Sequence, residues 1–344
     1  MLRKGKKVQL KFNIPETQGE AVMVHTSYGT AGNDVKDWAD HDGTLGEDNQ
    51  YWGLGGDDVV FGRLGSDVLY GDRAPKPNDP ISYDGRDPGT PGRDTLYGGL
   101  GDDKLYGDDG DDFLNGEEND DKMYGGKGND YLDGWEGDDI LYGGGDEVLG
   151  NGEPWRYEDT GDDVLVAWKG KDRLYGGDGE DWLDGSYDDD KLYGGEGNDL
   201  LGNQYLQGEP GNDEMYGQGG NDELYGGDGQ DLLNGYGGGF DSIGFECDLL
   251  MGGADADRFV LGDSNGAFYA NDGTWGYATI VDFHKNSQGD QILVHGVKSD
   301  YRLDSSINWF GGSASDTAIY YKNDLIGVVQ DKTYTSRAEL LTFV

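Results

Sequence analysis

The sequence from Gly89 to Tyr142 divides without a gap into six nine-residue units: GTPGRDTLY, GGLGDDKLY, GDDGDDFLN, GEENDDKMY, GGKGNDYLD and GWEGDDILY. Each unit begins with glycine and has an aspartate at its sixth place. The eighth place is leucine in five units and methionine in one. A period as regular as this predicts a repeat architecture in which every unit has the same local shape.

The composition of each unit indicates one tight turn followed by one very short strand. In the strand at places seven to nine, side chains alternate between faces, so the eighth-place residue points away from its two neighbours and into a core. Tight corners visit positive φ, where glycine is unstrained, and glycine also lets backbone carbonyls approach a ligand. The sixth-place aspartate adds a charged oxygen. Carbonyl and carboxylate oxygens in a flexible cage favour Ca²⁺ over Mg²⁺.

The units resemble the G-G-x-G-x-D-x-U-x nonapeptide of the RTX, or haemolysin-type calcium-binding, family. The resemblance implies an all-β fold, a right-handed parallel β-roll in which two units make one coil. It also implies several Ca²⁺ ions between stacked turns, each taking a sixth-place aspartate and backbone oxygens. In the phase of the repeats the candidate ligands are Asp58, Asp67, Asp94, Asp103, Asp112, Asp121, Asp130, Asp139, Asp163, Asp172, Asp181, Asp190, Asp199, Asp213, Asp222, Asp231 and Asp257, with turn glycines Gly89, Gly98, Gly107, Gly125, Gly134, Gly176, Gly194, Gly217 and Gly226.

The charge of the chain predicts that folding depends on calcium. Of 344 residues, 26 are Lys or Arg and 70 are Asp or Glu, which gives a net charge of −44, and 65 are glycine. A metal-free chain with so much repulsion and one leucine per nine residues should not fold alone. We therefore expect metal binding and folding to be one process. The same charge argues against a nucleic-acid partner, which is itself polyanionic.

The repeats divide the chain into three parts. An N-terminal arm covers residues 1–28, the calcium-binding roll covers 29–260, and a β-rich cap covers 261–344. The unit GTLGEDNQY (43–51) is followed by one extra residue, Trp52. Asn119 and Asp188 replace the fourth-place glycine in two units, which leaves the occupancy of those turns open. Loop insertions are predicted near 71–88, 143–157, 203–207 and 236–246; the first is two repeat lengths long, so the roll keeps its phase across it, and residues 203–207 include a candidate strand.

The cap is predicted to consist of strands at 277–283, 290–296, 316–322 and 324–330, with a hairpin at Lys322-Asn323-Asp324. It would cover the open end of the roll. The last residues, 339–344, are one acid followed by mostly apolar side chains. They are similar to a type I export signal, or else form a last buried strand or helix. The family resemblance implies a secreted, extracellular or cell-surface protein.

The outward residues at places seven and nine differ between the two predicted sheets. One sheet receives Tyr at place nine beside cations, as in Lys104/Tyr106 and Lys122/Tyr124. The other receives an aromatic ladder that includes Phe113, Tyr131 and Trp182. Either these ladders are cross-strand packing, or one of them binds a glycan or a cell-surface protein. The two-ladder arrangement requires residues 143–157 to supply an even number of strands.

No catalytic motif stands out in the sequence. None of the four histidines forms H-E-x-x-H, and there is no G-x-S-x-G nucleophile elbow. Cys247 is the only cysteine, so no intrachain disulfide is possible, and no apolar run approaches the ~20 residues of a membrane span. We predict a non-enzymatic calcium-binding β-roll with a structural or surface-associated role. The alternative is a calcium-dependent adhesin or carbohydrate-binding module.

Overall fold

The computed structural model describes residues 25–28, 34–37, 49–53, 58–71, 92–144, 161–202, 211–237, 246–270, 276–285, 288–311 and 314–344. Within these ranges the chain forms two long sheets, and strands β1 to β21 alternate between them. In spatial order, sheet I contains β1 (His25–Tyr28), β3 (Asn49–Trp52), β5 (Val68–Tyr70), β7 (Lys104–Asp109), β9 (Lys122–Lys127), β11 (Ile140–Gly144), β13 (Arg173–Asp178), β15 (Lys191–Glu196), β17 (Glu214–Gly219), β19 (Leu232–Tyr236), β21 (Arg258–Val260), β25 (Gln291–Val294) and β29 (Leu341–Phe343).

Sheet II holds the alternate units of the repeat. Its members, in spatial order, are β2 (Val35–Asp37), β4 (Val59–Leu64), β6 (Thr95–Leu100), β8 (Phe113–Glu118), β10 (Tyr131–Glu136), β12 (Val164–Lys169), β14 (Trp182–Asp184), β16 (Leu200–Leu201), β18 (Glu223–Asp228), β20 (Leu249–Ala254), β24 (Ala278–Ile280), β28 (Asp324–Val329), β27 (Thr317–Tyr321) and β26 (Tyr301–Asp304). Apart from the last two, which pair antiparallel, all its pairings are parallel.

The core is a double column of eighth-place side chains, and it confirms the predicted parallel β-roll. Across each sheet these residues are in register, as in Leu105 with Met123 and Leu114 with Leu132. Each is buried, with at most 4 % of its surface exposed. One buried leucine contributes roughly 1.5–3 kcal/mol, which is less than the entropy cost of ordering nine residues. Core packing alone therefore does not explain why the chain is folded.

The alternation between sheets survives the insertions, as the sequence predicts. Strand β5 is on sheet I and β6 on sheet II, on either side of the first insertion. Around the second, Leu132 pairs with Leu165 and Leu141 with Leu174, so both columns continue. The inserted residues 72–91, 145–160, 203–210 and 238–245 lie outside the described ranges, and so does the candidate strand at 203–207.

The structure shows that three insertions open inside a turn, not between two whole units. A β-carbon on Gly71 would overlap Oδ2 of Asp94, the contact that Gly98 and Gly107 make with the aspartates of their own units. Gly143 and Asp163 are matched in the same way, and so are Gly235 and Asp248. Gly71 thus takes the first place that the sequence gave to Gly89, which lies outside the described residues.

The predicted frame of the unit at 43–51 is wrong by one residue. Gln50 pairs with Val68 and Tyr51 with Leu69, so Tyr51 is the inward residue and is buried. Asn49 then stands at the sixth place, and its backbone N–H donates to Asp67 Oδ1 at 2.5 Å. The extra residue of this unit therefore lies before Asn49, and Trp52 is its ordinary ninth-place residue.

Left-handed backbone occurs at two places in the unit, of which the sequence predicted only the fourth. Asn119 and Asp188 keep positive φ at the fourth place, at 85° and 80°. The second place is also left-handed, with Gly99 at 118° and Gly126 at 120°. Several units hold a larger side chain there at positive φ: Arg63, Asp108, Glu117, Trp135, Trp168, Ser186 and Gln218. These residues carry strain that glycine would not.

Replacing Glu117 with glycine is expected to stabilise the calcium-loaded protein by about 0.5–1 kcal/mol. The relief of left-handed strain, about 1–2 kcal/mol, exceeds the added freedom of the unfolded chain. Glu118 is the next residue of the same strand, is also exposed and has ordinary φ. Glu118→Gly should therefore destabilise the protein. Chemical denaturation measures both changes, and equal effects of the two substitutions would contradict the explanation.

The outer faces of the two sheets differ as predicted. On sheet I, Trp52, Tyr70, Tyr106, Tyr124, Tyr142, Tyr175, Tyr193 and Tyr216 form one uninterrupted stack with ring centroids 4.6–5.3 Å apart. On sheet II, Phe113 stacks on Tyr131 at 5.3 Å, but the next strand places Val164 beside Tyr131. The predicted ladder of Phe113, Tyr131 and Trp182 is therefore broken at its third rung.

The last residues continue both sheets. The predicted hairpin is confirmed as β27 and β28, with Lys322 at φ 56° in its turn. A two-stranded hairpin, β22 (Gly262–Asp263) with β23 (Gly266–Ala267), precedes them. The one α-helix among the described residues, α1 (Arg337–Leu340), leads into β29, which pairs with β25. No described helix is long and apolar enough to cross a membrane.

Candidate metal centre

The sixth-place aspartates form two buried lines, one along each edge of the roll. In the line leading into sheet II, the backbone N–H of Asp94 donates to Oδ1 of Asp112, and that of Asp112 donates to Oδ1 of Asp130. In the line leading into sheet I, Asp103, Asp121 and Asp139 are joined in the same way. These bonds are 2.5–3.1 Å long from the first described unit to Asp257. Each aspartate thus uses one carboxylate oxygen to join the next rung.

The second carboxylate oxygen points into the turn. In seven aspartates Oδ2 is buried and accepts no hydrogen bond from the described residues: Asp121, Asp139, Asp172, Asp190, Asp199, Asp222 and Asp231. Burial of a charged oxygen without a donor is costly, so these atoms are suited to a cation ligand.

Backbone carbonyls stand beside these oxygens. A β-carbon on Gly98 would overlap Asp103 Oδ2 and lie 2.8 Å from the carbonyl oxygen of Gly116. On Gly125 it would overlap Asp130 Oδ2 and lie 2.6 Å from the carbonyl oxygen of Gly143. The first-place glycine therefore leaves room where a carboxylate oxygen and a carbonyl oxygen from neighbouring rungs converge. The same arrangement recurs at Gly107, Gly176, Gly194 and Gly226, whereas Gly134 lies near the carbonyl oxygen of Ala167, and at Gly217 only the overlap with Asp222 is seen.

The donor set suits calcium. No group of three or more acidic, histidine or cysteine side chains that could hold a metal occurs among the described residues. Each turn therefore offers one carboxylate oxygen, and the remaining ligands have to be backbone carbonyls or water. Hard oxygen ligands of this kind, in irregular number, are typical of Ca²⁺ sites.

Burial raises the pKa of these carboxyl groups. The pKa of Asp121, Asp190 and Asp222 rises from 3.8 to about 9 because desolvation disfavours the charged form. For Asp172 and Asp231 the pKa is about 8 for the same reason. It is about 7 for Asp139, Asp199, Asp213 and Asp257. A bound cation would oppose this shift, since it favours the carboxylate.

The family model of the RTX calcium-binding nonapeptide repeat, which describes four copies, matches residues 44–73, 88–123, 115–147, 159–183, 169–201 and 201–233. This is an RTX calcium-binding repeat protein. Among curated proteins none matches the chain. The matched segments contain the regular part of both aspartate lines, so the RTX repeats and the buried oxygens describe the same turns.

All seventeen predicted aspartates lie in the two lines. Asp213 and Asp257 are members too, through hydrogen bonds that link Asp213 to Asp231 and Asp231 to Asp257. The sequence missed four members: Asp34, Asn49, Asp248 and Asp290. Asp248 was hidden by the insertion before it, although the following Leu249-Leu250-Met251 has the apolar pattern of a repeat strand.

A second, exposed line of hydrogen bonds runs along the fifth place. The N–H of Asp138 donates to Asp120 Oδ1 at 3.0 Å, and that of Asn221 donates to Asn198 Oδ1 at 2.9 Å. The frequent Asp and Asn at the fifth place of the RTX repeats are thereby explained as rung-to-rung contacts on the surface.

At the end of the RTX array, protein donors reach the second carboxylate oxygen of the aspartates. At Asp248, Oδ2 accepts a hydrogen bond from the hydroxyl of Tyr269, a fully buried side chain. At Asp290, Oδ2 accepts one from the backbone N–H of His284. Burial raises the pKa of Asp248 to about 6, against the effect of the tyrosine hydrogen bond. No repeat signal could have found Tyr269, because it follows the last unit.

Tyr269→Phe is expected to destabilise the calcium-loaded protein by about 1–3 kcal/mol, because a buried carboxylate oxygen loses its donor. The freed oxygen resembles those of the regular turns, so added calcium should recover part of the loss. Tyr301→Phe is the control: this buried hydroxyl donates to the neutral carbonyl of His295 at 2.7 Å. Its loss should cost less and be insensitive to calcium. Thermal unfolding at several calcium concentrations distinguishes the two, and identical behaviour would refute the capping role of Tyr269.

Proposed function

We propose that this RTX protein works outside the cell as a non-catalytic, calcium-loaded scaffold with a structural or surface-associated role. The observation that supports this proposal is the pair of buried aspartate lines whose second oxygens face glycine carbonyls. In each turn the sixth-place aspartate and the first-place glycine would hold one Ca²⁺. The bound ion would supply positive charge between stacked turns, which the chain itself lacks there.

The affinity expected for such sites explains why the location matters. Extracellular calcium modules have dissociation constants of ~10⁻⁴–10⁻³ M. Sites of this strength stay empty at the low calcium concentration of the cytosol. The chain would therefore be exported largely unfolded and would fold outside, where mass action favours the calcium-loaded state.

A matched pair of substitutions tests the ligand assignment. Asp121 is a sixth-place aspartate with a buried Oδ2, and Asp120 is its exposed fifth-place neighbour. Asp121→Asn should lower calcium affinity about tenfold or more at its turn, because one of the few charged ligands is lost. Asp120→Asn should leave the affinity almost unchanged. Isothermal titration calorimetry measures both, and equal loss in the two variants would refute the assignment.

The export proposal has its own test. The last residues, Arg337 to Phe343, form α1 and β29 in the folded protein. Fusing residues 280–344 to a passenger protein, in cells with a type I exporter, should carry the passenger into the medium. Passenger retained in the cells would leave the C-terminus with a structural role only.

A glycan-binding role stays a separate prediction, and the aromatic ladder of sheet II now gives it less support. Val164 lies between Tyr131 and Trp182, so no continuous row of rings is available there. A glycan array on the calcium-loaded protein, repeated with Trp182→Ala, tests it. Trp182-dependent binding would favour the adhesin alternative.

A further inference from the structure

Exposed aromatic side chains are concentrated on one region of sheet II. Among the described residues, six aromatic residues are exposed, and all but Phe310 lie on or next to three neighbouring strands of sheet II. The other five lie on β10, β12 and β14 or directly after β14: Tyr131, Trp135, Trp168, Trp182 and Tyr187. Register places Trp135 beside Trp168, and Lys169 is bridged to Tyr187. We call these five residues the aromatic patch.

Two of these tryptophans occupy positions that the fold would leave to glycine. Trp135 and Trp168 are second-place residues with φ of 81° and 74°. Their equivalents Gly99, Gly126 and Gly177 are glycines. About half of the surface of each residue is exposed, 49 % and 46 %. Both the backbone strain and the exposure are unfavourable for folding, and strained exposed residues of this kind are typical of functional surfaces.

The patch differs from the tyrosine stack of sheet I in the availability of its rings. In that stack each ring lies against its neighbours, so the ring faces are already used. Among the described residues no ring stacks on Trp135, Trp168 or Trp182. A ligand that stacks on these indoles would therefore compete with no aromatic ring of the described residues. Trp and Tyr are also the residues that contribute most energy at the centres of protein interfaces.

A carboxylate lies within the patch. Along β10 the outward residues are Tyr131, Asp133 and Trp135 in succession. The cross-strand neighbours of Asp133 are Asn115 and Val166, neither of which is a cation. Among the described residues Asp133 has no ion pair; its donors are Asn115 Nδ2 at 3.5 Å and the indole of Trp168. Oδ1 of Asp133 and Oδ1 of Asn115 are both buried without a donor.

The charged group inside the patch, the carboxylate of Asp133, can only accept hydrogen bonds. A sugar hydroxyl both donates and accepts, whereas a guanidinium only donates and also stacks on indole faces. The rim adds negative charge through Glu117 and Glu118, both exposed. A planar cation is therefore the chemical complement of this surface.

We propose that the aromatic patch, with Asp133 inside it, is a docking surface for the arginine side chains of a basic protein partner. Asp133 would accept from the guanidinium, and Trp135 and Trp168 would stack on it. This inference goes beyond the scaffold role and holds wherever the protein acts, provided that calcium keeps the roll folded.

The experiment uses the full-length calcium-loaded protein and a short synthetic arginine-glycine peptide at near-physiological salt. A peptide with citrulline in place of arginine has nearly the same shape without the charge. The arginine peptide should bind at least about tenfold more tightly than the citrulline peptide. Equal binding of the two peptides would overturn the proposal.

The decisive variant removes the two strained tryptophans of the patch without harming the fold. Trp135→Gly with Trp168→Gly installs the residue that other units have, so thermal stability should stay or rise. Affinity for the arginine peptide should fall at least about tenfold, and Asp133→Asn should also lower it. Gln218→Gly, which relieves the same strain at φ 74° on sheet I, should leave affinity unchanged. Binding that survives the double substitution would be general attraction to a polyanion and would overturn the proposal, as would tryptophan-dependent binding of a neutral glycan instead.

Discussion

Adding EDTA to the calcium-loaded protein at about pH 8 is expected to abolish the strand signal in far-ultraviolet circular dichroism. At that pH the aspartates are fully charged in the unfolded chain, whereas the metal-free fold has to bury them beside no cation or protonate them, and either alternative favours unfolding. With a dissociation constant of ~10⁻⁴–10⁻³ M, about 10 mM Ca²⁺ contributes roughly 1.4–2.7 kcal/mol per occupied site. Because many turns bind calcium together, the free energy lost when calcium is removed exceeds the stability of a typical domain.

Lowering the pH of the EDTA-treated protein to about 5.5 should restore part of that signal. The pKa of Asp121, Asp190 and Asp222 is raised from 3.8 to about 9, so the metal-free fold binds more protons than the unfolded chain. A group with a raised folded-state pKa stabilises the fold at low pH and loses that effect as the pH rises through the folded-state value. This stabilisation of the metal-free roll is complete below the ordinary pKa of 3.8 and is lost progressively as the pH rises to about 9.

Salt provides the control for this pH effect. About 1 M NaCl shortens the Debye length to about 3 Å and screens the net charge of −44, but it does not protonate buried carboxylates. If NaCl at about pH 8 restores the EDTA-treated protein as well as acid does, general repulsion is the cause. A protein that remains folded in EDTA at this pH would contradict the calcium dependence altogether.

The pH dependence should reverse in the presence of calcium. Ca²⁺ favours the charged carboxylates, so acid has to displace the ion before it can protonate Oδ2. Calcium binding at about pH 7 should accordingly release protons, which calorimetry in buffers of different ionisation enthalpy detects. Opposite pH dependences with and without calcium would distinguish stabilisation by the bound metal from stabilisation by protonation of the buried carboxyl groups.

The sequence predicted the regular turns well because two residues per unit determine them. An aspartate at the sixth place and a leucine at the eighth recur with a fixed period, as in Asp112 with Leu114. The burial of the aspartates in two lines and of the leucines in two columns follows directly from this period. The fourth-place corners at Asn119 and Asp188 were also predictable, because these side chains tolerate left-handed backbone.

The predictions failed where contacts connect residues that the period does not relate. Gly71 reaches Asp94 across an insertion, so its place in the turn cannot be read from a nine-residue frame. Asn49 stands at the sixth place, where the repeat predicts an aspartate, so the sequence placed the frame of that unit one residue too early. The sequence did not predict left-handed backbone at the second place, because residues such as Trp135 and Glu117 stand there in place of glycine.

Gly107→Ala is expected to destabilise the calcium-loaded protein by at least about 2 kcal/mol and to remove calcium from its turn. Gly107 has ordinary φ, so backbone strain is not the cause. Its β-carbon would overlap Asp112 Oδ2 and lie 2.5 Å from the carbonyl oxygen of Gly125. The carbonyl belongs to the next rung of sheet I and cannot retreat without disturbing the pairing of β7 with β9.

Gly266→Ala is the matched control for this substitution. Gly266 also has ordinary φ, and no atom lies within 4 Å of the position of its β-carbon, so stability and calcium stoichiometry should both be unchanged. Combining Gly107→Ala with Asp112→Ala removes the overlapping oxygen, and the loss should then be smaller than the sum of the two single losses. Thermal unfolding and calcium titration measure these effects. If Gly107→Ala lowers stability but keeps the full number of calcium ions, the glycine serves packing alone, and the space it leaves is not part of the metal site.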